Sequence, residues 1–454
     1  MAISAPVTTA NIVTETIREF AHPLTGATSD YDPLLDMVGN AHFVLIGEAS
    51  HGTHDFYQQR AEITKRLIKE KGFSVVAVEG DWPDAYRINR YVRGLDDIAS
   101  ANDALSEFKR FPSWMWRNTV VLDFVEWLRQ HNDSLPQNAR KTGFYGLDLY
   151  SLYTSIEAVL NYLDKTDPEA AQRARKRYAC FDQFGEDTQA YGYAAGFGLV
   201  PSCEQEVIKE LVDLQKSMGQ KAKHEGRQAE DEYFFAEQNA RVVRDAEEYY
   251  RTMFEGRVSS WNLRDRHMMN TLNDLVAFLD QSNGAGSARA VVWEHNSHLG
   301  DARATSMGTD GEWNVGELAR EKYGSDTVLI GFTTYTGTVT CASDWDEPTE
   351  RKRVRPGLQG SYELLFHQTS MPKFLLPMRG NTTLSAALHG PRLERAIGVI
   401  YLPQSERISH YFNARLPEQF DAIIHLDETR ALEPLDRTSH WEAGEVEETF
   451  PTGL

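Results

Sequence analysis

Seven short runs of apolar residues, rich in β-branched and aromatic side chains, recur along the chain at long intervals. Because each run is apolar throughout, it predicts a strand that is buried on both faces of a sheet. Helical patterns lie between most of the runs, which is typical of a parallel sheet covered by helices. We therefore predict an α/β protein with a largely parallel central sheet flanked by helices. The predicted strands lie at residues 42–47, 74–79, 143–148, 290–294, 327–332, 396–401 and 420–425.

The pattern changes between residues 149 and 281, where charged helical stretches such as 205–223 replace the strand pattern. We predict that residues 149–281 form a mostly helical inserted domain. Residues 1–148 and 282–454 are then the first and second parts of the α/β core. Within the insertion, residues 190–198 contain several glycines and predict a loop.

Two polar stretches lie outside the predicted elements of the core. Residues 343–356 follow a strand and predict a long surface loop that could border a functional site. The acidic tail after Arg437 predicts an exposed terminal segment.

Composition and charge limit the classes of partner. The chain has 454 residues and 41% of them are hydrophobic, which is enough for a large core. Its formal net charge of −20 weighs against nucleic acid and anionic membranes, since both require a basic face. No apolar run approaches the length of a membrane span, and the N-terminus has no basic cluster followed by an apolar core. We expect a small-molecule substrate, no nucleic-acid or membrane partner, and a cytoplasmic protein.

The cysteines agree with that location. Cys180, Cys203 and Cys341 are widely separated and match neither a zinc-binding spacing nor a disulfide framework. The pattern therefore predicts thiols in a reducing compartment.

The first candidate site follows the first predicted strand, in the segment Leu45-Ile-Gly-Glu48-Ala-Ser-His51-Gly-Thr. In open α/β sheets, ligands bind at the carboxyl ends of the strands, so Glu48 and His51 lie where chemistry usually takes place. The alternative is that Glu48 only caps the helix that follows.

Three further strands deliver ionisable side chains to the same edge of the predicted sheet. Glu79 ends the second strand, Asp148 ends the third, and the fourth is followed by Glu294, His295 and His298. Each of these residues could be structural by itself, but four strands that carry acids and imidazoles to one edge indicate an active site.

Two arginines are predicted to lie on apolar helix faces. Arg60 lies four residues after Phe56 on a stripe that continues to Ile63, and Arg264 lies one turn before Met268. A buried guanidinium must be paired or must line a polar cavity, because an unpaired buried charge costs about 3–5 kcal/mol. Both a catalytic role and a structural ion pair are open for each arginine.

Absent motifs narrow the mechanism. The sequence contains no GxSxG, HExxH or Walker loop, and no GxGxxG follows a strand. A metal site with His51, Glu79, Asp148 or His295 as ligands stays an alternative, although the spacing of these residues is only moderately typical of one.

Taken in order, these motifs resemble those of the erythromycin esterase family over about residues 46–424. The resemblance implies an α/β core with a largely helical second part. It also implies hydrolysis of a macrolide lactone ring, a reaction of antibiotic resistance, without a metal or another cofactor. The motifs that carry it are Gly47-Glu-Ala-Ser-His51-Gly-Thr, Arg60, Glu79-Gly-Asp-Trp, Gly146-Leu-Asp148, Arg264-Asp265 and Glu294-His-Asn-Ser-His298.

The resemblance also implies roles for individual residues. His51 is similar to the general base of the family, with Glu48 and Glu79 as the acids that orient and polarise it. Arg60, Arg264 and His295 are similar to companions that line the same cleft. The substrate-binding residues expected beside them are Asp148, Glu294 and His298. The reaction is then direct attack of an activated water on an ester or lactone carbonyl; a metal-dependent hydrolase of another small ester and a binding protein without turnover are the alternatives.

Overall fold

The computed structural model describes residues 9–444 apart from residues 138, 284, 285 and 287. The part of the acidic tail beyond residue 444, and the first eight residues, lie outside this range. The strands in chain order are β1 (His22–Pro23), β2 (Phe43–Ile46), β3 (Val75–Asp81), β4 (Gly143–Asp148), β5 (Ala290–Trp293), β6 (Thr327–Cys341), β7 (Glu350–Val354), β8 (Lys373–Pro377), β9 (Arg392–Arg395), β10 (Tyr411–Ala414) and β11 (Ala422–Thr429).

The α-helices before and within the predicted insertion are α1 (Thr9–Phe20), α2 (Asp32–Val38), α3 (His54–Lys71), α4 (Trp82–Arg93), α5 (Ala101–Ala104), α6 (Thr119–Ser134), α7 (Leu152–Thr166), α8 (Pro168–Tyr178), α9 (Thr188–Gly196), α10 (Glu204–Glu225), α11 (Arg227–Thr252) and α12 (Arg257–Asn283). Those that follow are α13 (Asn296–Leu299), α14 (Ser306–Thr309), α15 (Val315–Tyr323), α16 (Tyr362–His367), α17 (Thr382–Leu388), α18 (Glu406–Ser409), α19 (Leu416–Gln419) and α20 (Ser439–Ala443).

The large sheet has the strand order β1-β8-β11-β6-β2-β5-β3-β4, and β7 pairs with the far end of β6. The neighbours from β11 through β4 are parallel to one another, whereas β8, β1 and β7 pair antiparallel. The predicted α/β fold with a largely parallel central sheet is therefore confirmed.

The sheet is buried on both faces, which explains its continuous apolar runs. In β3, Val76 and Val78 pack into the core on one face, and Val75 and Ala77 pack into the core on the other. All four side chains are inaccessible to solvent. Helices from both sides of the sheet complete these two cores, as expected when crossover helices cover a parallel sheet.

Between β4 and β5 the described residues form helices and no strand. The helices of this segment have a buried cluster of their own, in which Val159 of α7, Leu211 of α10 and Val243 of α11 take part. The division of the chain at residues 148 and 281 into an inserted domain and two core parts stays a prediction.

The predicted loop at residues 190–198 is wrong, because most of it belongs to α9. The glycines that suggested a loop serve close helix packing instead. A Cβ atom on Gly192 would lie 2.2 Å from the carbonyl oxygen of Tyr250, and one on Gly196 would lie 2.5 Å from that of Arg251. Only glycine allows α9 to approach the end of α11 so closely.

Two predictions in the second part of the core also differ from the structure. Residues 396–401 are not a strand; they pair only at isolated positions, Ile397 with Ser50 and Ile400 with Ala342. The reason is that this apolar segment lies beside the turn after β2 and outside the sheet. Residues 343–356 are not wholly a loop, since β7 pairs with β6 and buries Lys352 and Val354.

The prediction of unpaired thiols is wrong for two of the three cysteines. Cys180 and Cys203 form a disulfide whose Cα atoms are 6.0 Å apart, and Cys341 is buried in the core. The cysteine pattern therefore gives no support to a reducing compartment. In the described part of the chain, every helix is too short or too polar to cross a membrane.

Candidate active site

The sheet order places four carboxyl strand ends side by side. β5 lies between β2 and β3, with Trp293 in register with both Ile46 and Val78, and β4 lies beside β3. The residues that follow Ile46, Val78 and Trp293 therefore come together at one edge of the sheet, where β4 ends with Asp148.

The turn after β2 depends on two glycines. A Cβ atom on Gly47 would lie 2.2 Å from Oδ1 of Asn296, and one on Gly52 would lie 1.7 Å from the carbonyl oxygen of Thr340. Neither neighbour leaves room for a larger residue, so the chain passes tightly between them. This turn holds Glu48 and His51 next to each other.

Glu48 connects His51 to Arg60. Its Oε1 accepts a hydrogen bond from Nδ1 of His51 at 2.9 Å, and its Oε2 lies 2.9 Å from Nη2 of Arg60. Arg60 is fully buried, and its guanidinium lies over the rings of Tyr57 and Trp293 at 4.3 and 5.3 Å. Glu48 is therefore an ion-pair partner and not a helix cap.

Glu79 and Asp148 share Arg264, which comes from α12. The guanidinium donates to both carboxyl oxygens of Asp148, from Nε at 3.0 Å and from Nη2 at 2.6 Å, and Nη2 also donates to Oε1 of Glu79 at 2.7 Å. The other oxygen of Glu79 accepts the backbone N–H of His295 at 2.9 Å. A residue of the helical segment thus ties the ends of β3 and β4 together.

His298 is held between α12 and the end of β5. Its Nδ1 donates to Asp265 at 2.9 Å, its Nε2 lies 3.5 Å from Oε1 of Glu79, and its ring stacks on Trp261 with centroids 4.4 Å apart. In the neutral ring, Nε2 accepts from Nη1 of Arg264 at 3.0 Å.

His295 lies beside His51, with ring centroids 4.9 Å apart. Its Nδ1 accepts the backbone N–H of Ser297 at 3.2 Å and lies 2.8 Å from the Ser297 hydroxyl, so in the neutral ring the proton is on Nε2. That Nε2 is buried and makes no hydrogen bond of ordinary geometry to the described residues, although the backbone of Ala49 lies beside the ring. It is available to donate to a bound ligand.

Burial and nearby charges shift the pKa values of the two glutamates that flank His51 in opposite directions. Burial raises the pKa of Glu48, and Arg60 offsets this effect only in part. Burial acts to raise the pKa of Glu79 as well, but the neighbouring cations, with His298 as the strongest, hold it well below its usual value.

The same forces act on the residues after β5. Burial and the charge of His51 hold the pKa of His295 well below its usual value, so this ring is neutral. Burial acts to lower the pKa of His298, but the charges of Asp265 and Glu79 outweigh it and raise the pKa.

Glu294 is buried, and both its carboxyl oxygens lack a hydrogen-bond partner among the described residues. Burial, with the charge of Glu79 as the next cause, raises its pKa well above the usual value.

A cavity of about 810 Å³ opens at this edge of the sheet. Among the residues predicted for the site, six line the cavity and three lie behind its wall. Those on the wall are His51, Glu79, Asp148, Arg264, His295 and His298, and those behind it are Glu48, Arg60 and Glu294. Aromatic side chains and residues 396 and 398–400, from the run mistaken for a strand, complete the lining.

The sequence prediction missed several residues of the site and of its cavity. Asp265, which is buried and accepts a hydrogen bond from His298, is not among the predicted site residues, although an acid next to Arg264 is a usable signal. Asp84 follows Asp81 by one helical turn, and this spacing was another signal. Ser297 lies inside the motif Glu294-His-Asn-Ser-His298, which was its signal. Nothing in the sequence indicates the exposed side chain of Ile408, because cavity walls depend on packing between distant segments.

The metal alternative is not supported by a ready ligand set. Among the described residues, no group of three or more His, Cys, Asp and Glu side chains is arranged to hold a metal ion. Several ionisable groups of the cavity, such as Glu79, Asp148 and Arg264, are paired with one another instead.

The chain is similar to known proteins over most of its length. It is 22% identical over 438 residues to the hydrolase-like protein YbfO of Bacillus subtilis (strain 168), covering 90% of each chain. It is 26% identical over 147 residues to an erythromycin esterase type II of Escherichia coli, covering 31% of this chain and 32% of that protein.

Solved structures share the fold. A succinoglycan biosynthesis protein matches with a TM-score of 0.73 at 21% identity, covering 95% of this chain and 100% of that one. A Bacillus cereus protein matches with a TM-score of 0.74 at 20% identity, covering 94% of this chain and 99% of that one. A mutant of the erythromycin esterase EreC in its open conformation matches with a TM-score of 0.62 at 16% identity, covering 89% and 94%.

The sequence model of the family described as erythromycin esterase matches residues 68–429. The matched span contains Glu79, Asp148, Arg264 and the residues after β5, whereas the turn after β2 precedes it. Because this match covers well over half of the sequence, the chain belongs to the erythromycin esterase family.

Proposed function

We propose that this hydrolase-family protein is a carboxylic ester hydrolase in which His51 activates water. One observation carries the proposal: His51 is oriented by Glu48 on one side, while its Nε2 faces Glu79 across 4.0 Å at the cavity wall. A gap of 4.0 Å is too long for a direct hydrogen bond. A water at about 2.8 Å from both atoms fits between them.

Each side of His51 has a different task. Glu48 accepts a hydrogen bond from Nδ1–H of His51, which leaves the lone pair of Nε2 free to take a proton from water. Glu79, whose lowered pKa keeps it ionised, accepts the second hydrogen bond of the same water. Arg264 holds Glu79 in place through the bond at 2.7 Å and is itself saturated by Asp148, so we assign it a positioning role.

The carbonyl oxygen of the substrate binds at Nε2 of His295. This N–H donor is buried and makes no hydrogen bond of ordinary geometry to the described residues, and the lowered pKa of the ring keeps it a neutral donor. Such a donor, placed where negative charge develops, stabilises the tetrahedral intermediate. Arg60 lies behind the wall, so its proposed role is to fix Glu48.

The reaction balances without a covalent intermediate. The water oxygen forms a bond to the carbonyl carbon while its proton passes to Nε2 of His51. When the tetrahedral intermediate collapses, the bond to the alcohol oxygen breaks, and this oxygen takes the proton from the imidazolium. A linear ester yields an acid and an alcohol, and a lactone opens with the gain of one water.

For the substrate, we propose a macrolide lactone first, because relatives are named erythromycin esterases. A cavity of about 810 Å³ falls in the range that holds a drug-sized ligand. Turnover of a macrolide would make the protein an antibiotic-resistance enzyme.

The test is mass spectrometry of a panel of macrolides and small esters incubated with the wild type and with His51→Ala. We expect addition of one water by the wild type and a loss of about 10²- to 10⁴-fold in rate for the variant. His54→Ala is the matched control, because His54 begins α3 only three residues after His51 but contacts Arg430 and lies outside the cavity lining. It should keep the wild-type rate.

Two further conditions separate the alternatives. Ser297 lines the cavity within hydrogen-bond distance of His295, so inactivity of Ser297→Ala with an acyl-enzyme mass in the wild type would replace the direct mechanism with a covalent one. Loss of activity with chelator, restored by one metal, would favour the metal-dependent hydrolase. Tight binding without turnover of any compound would make the chain a binding protein.

A further inference from the structure

The wall of the cavity that β3 and α4 form carries ionisable groups to which the proposed reaction assigns no task. Asp81 is the last residue of β3, Asp84 lies in the first turn of α4, and Arg110 lies between α5 and α6. All three line the cavity. We call these three residues the acidic wall, because they bring two carboxyl groups and one guanidinium to the same side of the cavity.

Asp81 is only half satisfied. Its Oδ2 accepts two hydrogen bonds from Arg110, from Nε at 3.0 Å and from Nη2 at 2.8 Å. Its Oδ1 is buried and has no hydrogen-bond partner among the described residues, and the residue as a whole is only 4% exposed. A buried carboxylate oxygen without a donor is unfavourable, so a ligand that supplies one is stabilised here.

The buried carboxyl group of Asp84 has even fewer polar partners than that of Asp81. It is 7% exposed, and the described residues give it neither a hydrogen bond to its carboxyl group nor a close ion pair. Burial and the charge of Asp81 raise the pKa of Asp84 to about 8. Arg110, Lys109 and Glu107 are the other charged groups that act on it. A second cation beside Asp84 would favour its ionised form.

Aromatic rings surround the acidic wall. Phe108, Phe111 and Trp116 line the same part of the cavity, and Phe111 packs against Trp345 with centroids 5.5 Å apart. The guanidinium of Arg110 lies 4.9 Å from the ring centre of Tyr150. The wall therefore already holds one cation between a carboxylate and an aromatic face, which is the combination that binds alkylammonium groups.

We propose that the acidic wall is a subsite for a protonated alkylamine on the substrate, with Asp84 as its counter-ion. The inference rests on the proposed function, since it assigns an amine to the molecule whose ester is hydrolysed. The aromatic rings contact the alkyl groups of the amine, Asp84 accepts its N–H, and Asp81 stays hydrogen-bonded to Arg110 beside it.

The test uses two probes that carry no ester, so that binding is measured apart from turnover. The cation is 4-(dimethylaminomethyl)benzyl alcohol, and 4-isobutylbenzyl alcohol is its neutral isostere. We expect the wild type to bind the cation at least about tenfold more tightly in calorimetric or NMR titrations. Binding at pH 7 should release close to one proton, seen as a dependence of the heat on the buffer, because Asp84 ionises.

The variants locate the effect. Asp84→Asn, which keeps the size of the side chain, should remove both the preference for the cation and the proton release, whereas Asp84→Glu should retain the preference. Asp310→Asn is the matched control, because Asp310 is an exposed acid on another part of the same cavity lining. It should leave the preference within twofold of the wild type.

Three results would overturn the proposal: equal affinity for the two probes, no binding of the cation, or an equal loss in Asp84→Asn and Asp310→Asn, which would indicate diffuse negative charge. Failure of the ester hydrolysis is a separate outcome, because a protein that binds the cation without hydrolysing any ester would still support the subsite.

Discussion

Two arginine–glutamate pairs flank His51, and they differ in whether they meet the cavity. The Glu48–Arg60 pair lies behind the wall, where Arg60 is fully buried and is in contact with Tyr57 and Trp293. The Glu79–Arg264 pair lies on the wall and is linked further to Asp148 and His298. In the proposed mechanism, buried charge of the same kind therefore serves two purposes: one pair fixes the base from behind, and the other shapes the surface that meets the substrate.

The pKa shifts follow this difference. The Glu48–Arg60 pair, which lies behind the wall, gives a deeply buried carboxyl a single arginine partner, and the pKa of Glu48 rises. In the Glu79–Arg264 pair, which lies on the wall, several cationic neighbours surround Glu79, and the pKa of Glu79 falls. When neighbouring acids are shifted in opposite directions, their tasks are separated as well.

Removal of Arg60 should have the largest effect, and the effect should be on stability. Arg60→Met leaves the Glu48 carboxylate buried without its cation, which costs about 3–5 kcal/mol in the free energy of unfolding. Urea denaturation measures this loss. The double variant Glu48→Gln/Arg60→Met should recover a large part of this loss, since no buried charge is then left without its partner. A double variant as unstable as Arg60→Met would contradict the view that Glu48 and Arg60 stabilise each other.

Removal of Arg264 should act on catalysis more than on binding. Arg264→Met frees Glu79 to move away from the bridging water, so we expect kcat to fall by about 10²-fold while KM changes little, because Arg264 positions other groups. Steady-state kinetics with the best ester of the panel measure both constants. The comparison is Arg60→Met, assayed at a temperature where that variant is folded. If Arg264→Met raised KM by a larger factor than it lowered kcat, this arginine would be reassigned to substrate binding.

The smallest effect is the pH dependence of stability, which should have opposite signs for the two glutamates. The lowered pKa of Glu79 contributes stability that is complete above the unfolded value of about 4.3 and is lost as the pH falls toward the folded value. The stability difference between wild type and Glu79→Gln should therefore shrink on acidification, by about 1.4 kcal/mol for each unit of the shift.

The raised pKa of Glu48 means that its ionisation lowers the free energy of unfolding of the wild type. The stability of Glu48→Gln relative to the wild type should therefore increase as the pH rises above about 4.3. Melting curves from pH 3 to pH 7 give both slopes. Parallel slopes for the two variants would show that the pairs are electrostatically equivalent.

Much of this arrangement follows from local sequence patterns. The apolar runs predicted the parallel strands, and the carboxyl-edge rule then placed Glu48, Glu79, Asp148 and His295 near one another. The apolar stripes predicted that Arg60 and Arg264 point inward and are either paired or line a polar cavity. These features could be predicted because each depends on periodicity within one element.

Features that depend on contacts between distant segments could not be predicted. The same stripe pattern describes Arg60 and Arg264, yet only packing decides which of them reaches the cavity. The glycines of α9 looked like loop residues because α11, the helix they meet, lies far along the chain. The pairing of Cys180 with Cys203 likewise depends on how α8 and α10 approach each other.

The position of β5 has a consequence for synthesis of the protein. β5 separates β2 from β3 in the sheet, yet it begins at Ala290, more than two hundred residues after the end of β3. While the ribosome adds the helical segment, β2 and β3 have no partner along their facing edges, and open strand edges favour aggregation. The segment from Ala290 to His298 therefore does two things at once when it leaves the ribosome and docks: β5 closes the gap between β2 and β3, and His295 and His298 join the candidate site.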